Sequence, residues 1–159
     1  MDKADFRQWS HRASDWSADY LDTLSERPVR AQVKPGDIGR MIAATPPEDA
    51  HDMETIFADF ERIIPGGMTH WQHPRFFAYF PSNAAPAAVI AEQLATAIGA
   101  QCMLWQTSPA ATELEVRMID WLRQAIGLPE GFSGSFQDTA SSATLCAVLT
   151  TSASGSGAS

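Results

Sequence analysis

The chain has 159 residues, 45% hydrophobic and 19% charged, with five Trp and eight Phe, which is the composition of a folded soluble protein holding one domain, or one small domain and part of a second. A formal net charge of -8 without any Lys or Arg cluster argues against an electrostatic grip on nucleic acid or anionic lipid. Cys102 and Cys146 lie in apolar-looking sequence outside any CxxC or His/Cys cluster, so neither a disulfide framework nor a metal site is expected. The start Met1-Asp-Lys-Ala-Asp has no apolar leader, and no apolar run approaches the roughly 18 residues of a membrane span. A reduced, cytoplasmic setting without membrane association is the expectation.

From Phe6, the residues Trp9, Ala13, Trp16 and Tyr20 recur at spacings of three and four, which puts an aromatic stripe on one face of a helix. One helix cannot cover its own face, so a partner helix is implied. Pro28 closes this element, and Lys34-Pro-Gly-Asp37 reads as a turn, with a short helix after it through Met41. Thr45-Pro-Pro-Glu-Asp reads as the start of a helix whose face carries Met53, Ile56, Phe57, Phe60 and Ile63 and which Pro65-Gly-Gly67 stops. The segment Trp71–Pro81 fits neither helical nor alternating period and holds two prolines, so it reads as an irregular loop. So many aromatics in a loop call for burial, in a pocket wall or a subunit interface.

Pro86 to Ile98 is an Ala-rich helix with Gly99 as its left-handed stop. Ser108-Pro109 opens a further helix, with Leu114, Met118, Trp121, Leu122 and Ala125 as its buried face and Gly127 and Pro129 beyond its end. Phe136-Gln137 reads as the end of a short strand, and Asp138-Thr-Ala-Ser-Ser142 leads into a buried helix over Ala143–Leu149. The Ser/Gly/Ala stretch 150–159 is expected to be a flexible tail.

Several of these segments carry a resemblance: Pro65-Gly-Gly-Met-Thr-His-Trp-Gln-His-Pro-Arg-Phe-Phe-Ala-Tyr-Phe-Pro81, Trp105-Gln-Thr-Ser-Pro-Ala-Ala-Thr-Glu-Leu-Glu115, Asp120-Trp-Leu122, Leu128-Pro129 and Gln137-Asp-Thr-Ala-Ser-Ser-Ala-Thr144. Together they resemble the group II pyridoxal-phosphate decarboxylases, the family of DOPA, tryptophan and histidine decarboxylases, in the family's order and spacing and over nearly the whole chain to Leu149. The resemblance implies a mostly α fragment. Residues 1–85 would form an N-terminal helical segment that dimerises with its twin, and residues 86–149 would begin the large fold type I α/β domain that binds pyridoxal phosphate.

The resemblance also implies roles for single residues. Thr139, Ala140 and Ser141 match the phosphate-binding turn, where hydroxyls and free amides at a helix N-terminus suit a dianion. On the residues alone the same stretch is an ordinary helix cap. Asp138 beside a phosphate is an electrostatic puzzle unless its side chain turns away. Trp71, Tyr79, Phe80, Pro81 and Ser82 match positions on the substrate side, where aromatic walls would hold an aromatic side chain; core packing is their other reading. Gln101 and Met103 match positions that reach the neighbouring subunit's pocket. His70 and His73 have no evident partner as acid or base, and a structural hydrogen-bonding role is expected for them.

The Schiff-base lysine, the aspartate on the pyridine nitrogen and the ring-stacking histidine of the family match nothing here, so no catalytic residue is assigned. Two functions fit this pattern. One is an incomplete N-terminal piece of a homodimeric carboxy-lyase acting on aromatic L-amino acids with pyridoxal phosphate, inactive alone. The other is a non-catalytic dimerising or interaction module derived from such an enzyme.

Overall fold

The computed structural model describes residues 1–80 and 84–155, with side chains through residue 151, and contains helices but no strand among the described residues. The chain divides into two units, Met1–Pro86 and Ala87–Ser159.

In the first unit, α1 (Lys3–Asp22) starts in a capping box. The Asp2 carboxylate accepts the Ala4 and Asp5 amides at 2.7 and 2.8 Å, and the Asp5 carboxylate accepts the Asp2 amide at 3.2 Å. A single 3-10 turn, Leu24–Glu26, comes after it, before Pro28 can disturb helical geometry. The partner that the aromatic stripe requires is α3 (Met53–Ile63) of the same chain. Trp9 meets Phe57 at 5.5 Å between ring centroids, and Trp16 meets Phe60 edge-on at 4.8 Å and stacks on Tyr20 at 5.3 Å. Arg12 lies over the rings of Trp9 and Phe57, at 5.1 and 4.7 Å, while its guanidinium pairs with Glu54 at 2.8 Å and Glu61 at 3.5 Å. The seam therefore combines apolar and charged contacts on one line. Leu24 and Ile63 are the buried aliphatic residues of this unit, whereas Phe6 and Ile56 stay exposed.

α3 begins later than the Thr45-Pro-Pro pattern suggests. Asp52 is its cap, accepting the Thr55 amide at 2.8 Å, and that bond, first among the causes, holds the Asp52 carboxyl below its ordinary range. Pro46 and Pro47 each bias the preceding residue away from helical ψ. Lys34–Asp37 is a turn as its sequence indicates: the Asp37 amide donates to the Lys34 carbonyl at 3.0 Å across Gly36 at φ 91°. It leads into α2 (Asp37–Met41). Ile38 of α2 approaches Gly67 so closely that a Cβ there would sit 2.8 Å from Ile38 Cδ1.

In the second unit, α4 (Pro86–Ile98) ends at Gly99, which has φ 64°. α5 (Pro109–Ala125) starts after Ser108, but the Ser108 hydroxyl makes no cap bond; instead the Thr112 amide and hydroxyl both donate to the Ser108 carbonyl, at 3.1 and 3.0 Å. The left-handed Gly127 closes α5, with the Leu128 amide on the Arg123 carbonyl at 3.0 Å and the Arg123 guanidinium on the Leu128 carbonyl at 2.8 Å. Leu114, Met118, Trp121 and Leu122, the expected buried face, are exposed. The half-buried face is instead Ala111, Glu115 and Ile119, because residues 134–136 run over it. The Glu115 carboxylate takes the Phe136 amide at 2.8 Å, and a Cβ on Gly134 would sit 3.6 Å from Ile119. The strand expected to end at Phe136-Gln137 is not formed; the Phe136 amide donates to Glu115, and no strand is present among the described residues for this segment to pair with. α6 (Ala140–Gly155) continues past Leu149, and its apolar residues Leu145, Val148 and Leu149 are exposed, as are Cys102 and Cys146. No helix among the described residues is long and apolar enough to cross a membrane.

Candidate functional site

The aromatic segment after the second 3-10 turn (Pro65–Gly67) is held at its start by two buried histidines. His70 is 4% and His73 5% exposed. The His70 amide donates to the Val29 carbonyl at 2.9 Å, and its Nδ1 lies 2.7 Å from the Tyr20 hydroxyl of α1. Arg27 sits over the Tyr20 ring at 5.0 Å. Burial, then the Arg27 charge and then His73 push the His70 imidazole below its ordinary value, and burial raises the Tyr20 phenol. His73 accepts the Arg75 amide on Nδ1 at 2.9 Å. Both histidines thus have hydrogen-bond partners that the sequence did not reveal.

Trp71 is the hub of the aromatic segment. Its ring meets Phe76 at 5.0 Å and stacks on Tyr79 at 5.5 Å and 21°. Tyr79 has φ 54°, the one positive φ at a non-glycine residue described. A left-handed L-residue costs roughly 1–2 kcal/mol, and an aromatic stack returns roughly 0.5–1.5 kcal/mol, so the stack alone only about balances the strain. Tyr79 and Phe80 are 83% and 96% exposed; packing within the unit does not hold them. Gln72 supplies a further tie, its Oε1 accepting the Ala84 amide at 3.0 Å. Pro81 and Ser82 lie outside the described residues.

Gln101 and Met103, in the second unit, are exposed on a turn organised by Thr107. The Thr107 hydroxyl reaches the Gln101 carbonyl at 2.6 Å and the Leu104 carbonyl at 2.9 Å, and accepts the Leu104 amide at 3.3 Å. Trp105 is tied to α5 through its indole N–H on Glu113, at 3.0 Å. Sequence reading passed over Thr107; a hydroxyl residue three positions after the turn's start is its only mark.

Thr139, Ala140 and Ser141 form the entry to α6. The Thr139 hydroxyl meets the Ser142 hydroxyl at 2.7 Å and accepts the Ser142 amide at 3.2 Å, and the Thr139 carbonyl accepts the Ala143 amide at 3.0 Å. The amides at the helix start, those of Ala140 and Ser141, have no intrahelical acceptor, and they lie at the positive end of the helix dipole. Asp138 turns to Ser142: its carboxylate accepts the Ser142 hydroxyl, the first cause of its lowered pKa. This donor set fits a phosphate dianion, and the nearby carboxylate is already occupied with a hydroxyl donor.

The model of the pyridoxal-dependent decarboxylase conserved domain matches residues 35–154. Aromatic-L-amino-acid decarboxylase of Mus musculus is 43% identical over 157 residues, covering 94% of this chain and 33% of that protein. Tyrosine decarboxylase 1 of Narcissus pseudonarcissus is 39% identical over 152 residues, covering 92% of this chain and 30% of its own length. Among solved structures, Catharanthus roseus tryptophan decarboxylase in complex with L-tryptophan superposes with a TM-score of 0.87 at 36% identity, covering 94% of this chain and 32% of that one. The chain thus spans about a third of the length of the curated relatives it matches. A domain match over most of the sequence, joined to this structural agreement, shows that the chain belongs to the pyridoxal-dependent decarboxylase family.

Proposed function

We propose that the chain serves an amino-acid carboxy-lyase acting on aromatic L-amino acids, and that it contributes a phosphate cradle and an aromatic wall. The observation that carries this reading is the donor set at the start of α6, inside the residues matched to the family. Pyridoxal phosphate, when bound, supplies an electron sink that lets an amino acid lose its carboxylate as carbon dioxide. The Ala140 and Ser141 amides and the Thr139 and Ser141 hydroxyls would hold its phosphate. Trp71, Tyr79, Phe80, Pro81 and Ser82 would bound the substrate's ring and exclude water from it. Gln101 and Met103 would reach the pocket of a partner subunit.

The assembly we propose is a cytoplasmic homodimer formed through the N-terminal helices. A cleft of about 350 Å³ lined by Ala13, Trp16, Ser17, Ile56, Phe57 and Phe60 leaves apolar surface open along α1 and α3, which supports it. We also propose that the isolated chain does not decarboxylate. It spans a third of its relatives, and its two lysines, Lys3 and Lys34, both belong to the unit of residues 1–86. The second reading, a non-catalytic interaction module, draws on the exposed Ile90, Leu94 and Ile98 of α4.

Titration with pyridoxal 5'-phosphate, monitored by the phosphorus NMR signal, separates the two. Saturable binding that pyridoxal without phosphate does not reproduce, weakened about tenfold or more by Ser141→Ala, supports the cradle; no binding at all leaves the interaction module. Carbon dioxide release from carboxyl-labelled L-tryptophan and L-tyrosine is expected to be absent for the isolated chain. Turnover by that chain would refute its inactivity.

A further inference from the structure

We propose that Thr107 is a positioning residue for Gln101 and Met103, acting through its hydroxyl on the backbone of Gln101 and Leu104. The inference rests on the reading that Gln101 and Met103 reach a partner subunit's pocket. The Thr107 hydroxyl lies 2.6 Å from the Gln101 carbonyl and 2.9 Å from the Leu104 carbonyl, and it accepts the Leu104 amide at 3.3 Å. A hydroxyl has one proton, which the shorter contact gives to the Gln101 carbonyl, while its lone pairs receive the Leu104 amide. One oxygen thus brackets Cys102 and Met103, with Gln101 bonded before them and Leu104 after them. Among the described residues, no other side chain hydrogen-bonds residues 100–103. A hydroxyl that merely capped α5 would bond forward to amides of the first helical turn; the Thr107 hydroxyl bonds backward, three and six residues earlier.

Thr107 is itself anchored to α5. The Leu104 carbonyl accepts the Thr107 and Ser108 amides at 3.2 and 3.3 Å, and the Ser108 carbonyl accepts the Thr112 amide and hydroxyl at 3.1 and 3.0 Å. The Trp105 indole N–H on Glu113, at 3.0 Å, ties the intervening stretch to the same helix. Residues 104–108 are therefore fixed by bonds that do not involve Gln101, and the Thr107 hydroxyl carries that order back to it. The side chains in the bracket are free by contrast: Met103 is 74% exposed and Gln101 is exposed as well. A pinned backbone under uncovered side chains suits presentation to a partner, not packing within the unit. Loss of the hydroxyl leaves residues 104–108 in place and releases the stretch between Gly99 and Leu104, where chain entropy then spreads Gln101 and Met103 over many conformations.

Labelling the full chain with 15N-methionine gives one backbone amide signal for each methionine after Met1; Met103→Leu assigns that of Met103, and Met118→Leu that of Met118 in α5. In Thr107→Val, which keeps the β-branch and removes the hydroxyl, the heteronuclear NOE of Met103 is expected to fall to that of unstructured chain. Leu104 amide exchange, followed with 15N-leucine, is expected to rise about three- to tenfold, and the NOE of Met118 to stay. Thr107→Ser restores the hydroxyl and is expected to restore the Met103 NOE. An unchanged Met103 NOE in Thr107→Val, a joint fall at Met103 and Met118, or no rescue by serine would overturn the proposal. L-tryptophan added with pyridoxal 5'-phosphate tests the partner-pocket reading separately. If Thr107→Val releases Met103 but these ligands never perturb the Met103 amide of the native chain, the partner-pocket reading fails and the positioning role stands.

Discussion

Trp16→Ala is expected to lower the stability of the 1–86 unit by about 3 kcal/mol, within the usual cost of large aromatic truncations once partial exposure is allowed for. Trp16 is the residue at which the α1–α3 seam concentrates: it stacks on Tyr20 at 5.3 Å and meets Phe60 edge-on at 4.8 Å. Removing it deletes two aromatic pairs and opens the seam where Tyr20 must hold its hydroxyl against His70. For a unit of this size such a loss corresponds to a fall in Tm of more than about 10 °C. Phe6→Ala serves as the control, since Phe6 is 57% exposed on the same helix, and its effect is expected within about 0.5 kcal/mol. Urea unfolding monitored by far-UV circular dichroism measures both. Equal losses would mean that α1 is stabilised by general burial along its length and not by the Trp16 contacts.

The contrast between those two residues marks what the sequence could and could not convey. Spacing of three and four identified the stripe Trp9, Trp16 and Tyr20, because a helix fixes which side chains share a face; α3 covers Trp9 and Trp16, while Tyr20 packs on Trp16 and His70. Spacing did not say how far along the stripe the cover extends, which depends on where α3 starts. That start moved from Thr45 to Asp52 because a side-chain cap bond to Thr55 outweighs a permissive proline pattern. In α5 the same kind of pattern marked Leu114, Met118 and Trp121, yet Glu115 and Ile119 became the half-buried side once residues 134–136 crossed them. A charged residue taking a loop amide leaves no periodic trace. At the candidate site, the polar start Asp138–Ser142 was legible because cap chemistry is local, whereas the hydroxyl to which the Asp138 carboxylate turns, that of Ser142, was not. Gln72 was not legible, since its bond joins residues twelve positions apart through an irregular segment.

His70 shows the same non-local logic, and its replacement carries the second large effect. His70→Leu removes the partner of a half-buried phenol and is expected to cost about 2 kcal/mol, the range for stranding a polar group. The pH dependence gives a sharper signature. Burial, Arg27 and His73 depress the folded-state pKa of His70 below the ordinary imidazole value of about 6.5. The unfolded chain therefore binds more protons between that lowered value and about 6.5, and stability rises with pH across this window. Conversely, stability falls as pH drops through the unfolded-state value, because the folded state must either keep a neutral imidazole or accept a cation near Arg27. In the protonated imidazole both ring nitrogens are donors, so the Tyr20 hydroxyl at 2.7 Å from Nδ1 must then accept. The carboxylates with lowered pKa, Asp52, Asp120 and Asp138, contribute stability that is lost only as pH falls below their ordinary value near 3.8, well under this window. Urea unfolding between pH 5 and pH 7.5 is thus expected to show a positive slope of stability with pH in the native chain and a reduced slope in His70→Leu. An undiminished slope in the variant would assign the pH dependence to another group and leave the Tyr20–His70 contact without electrostatic consequence.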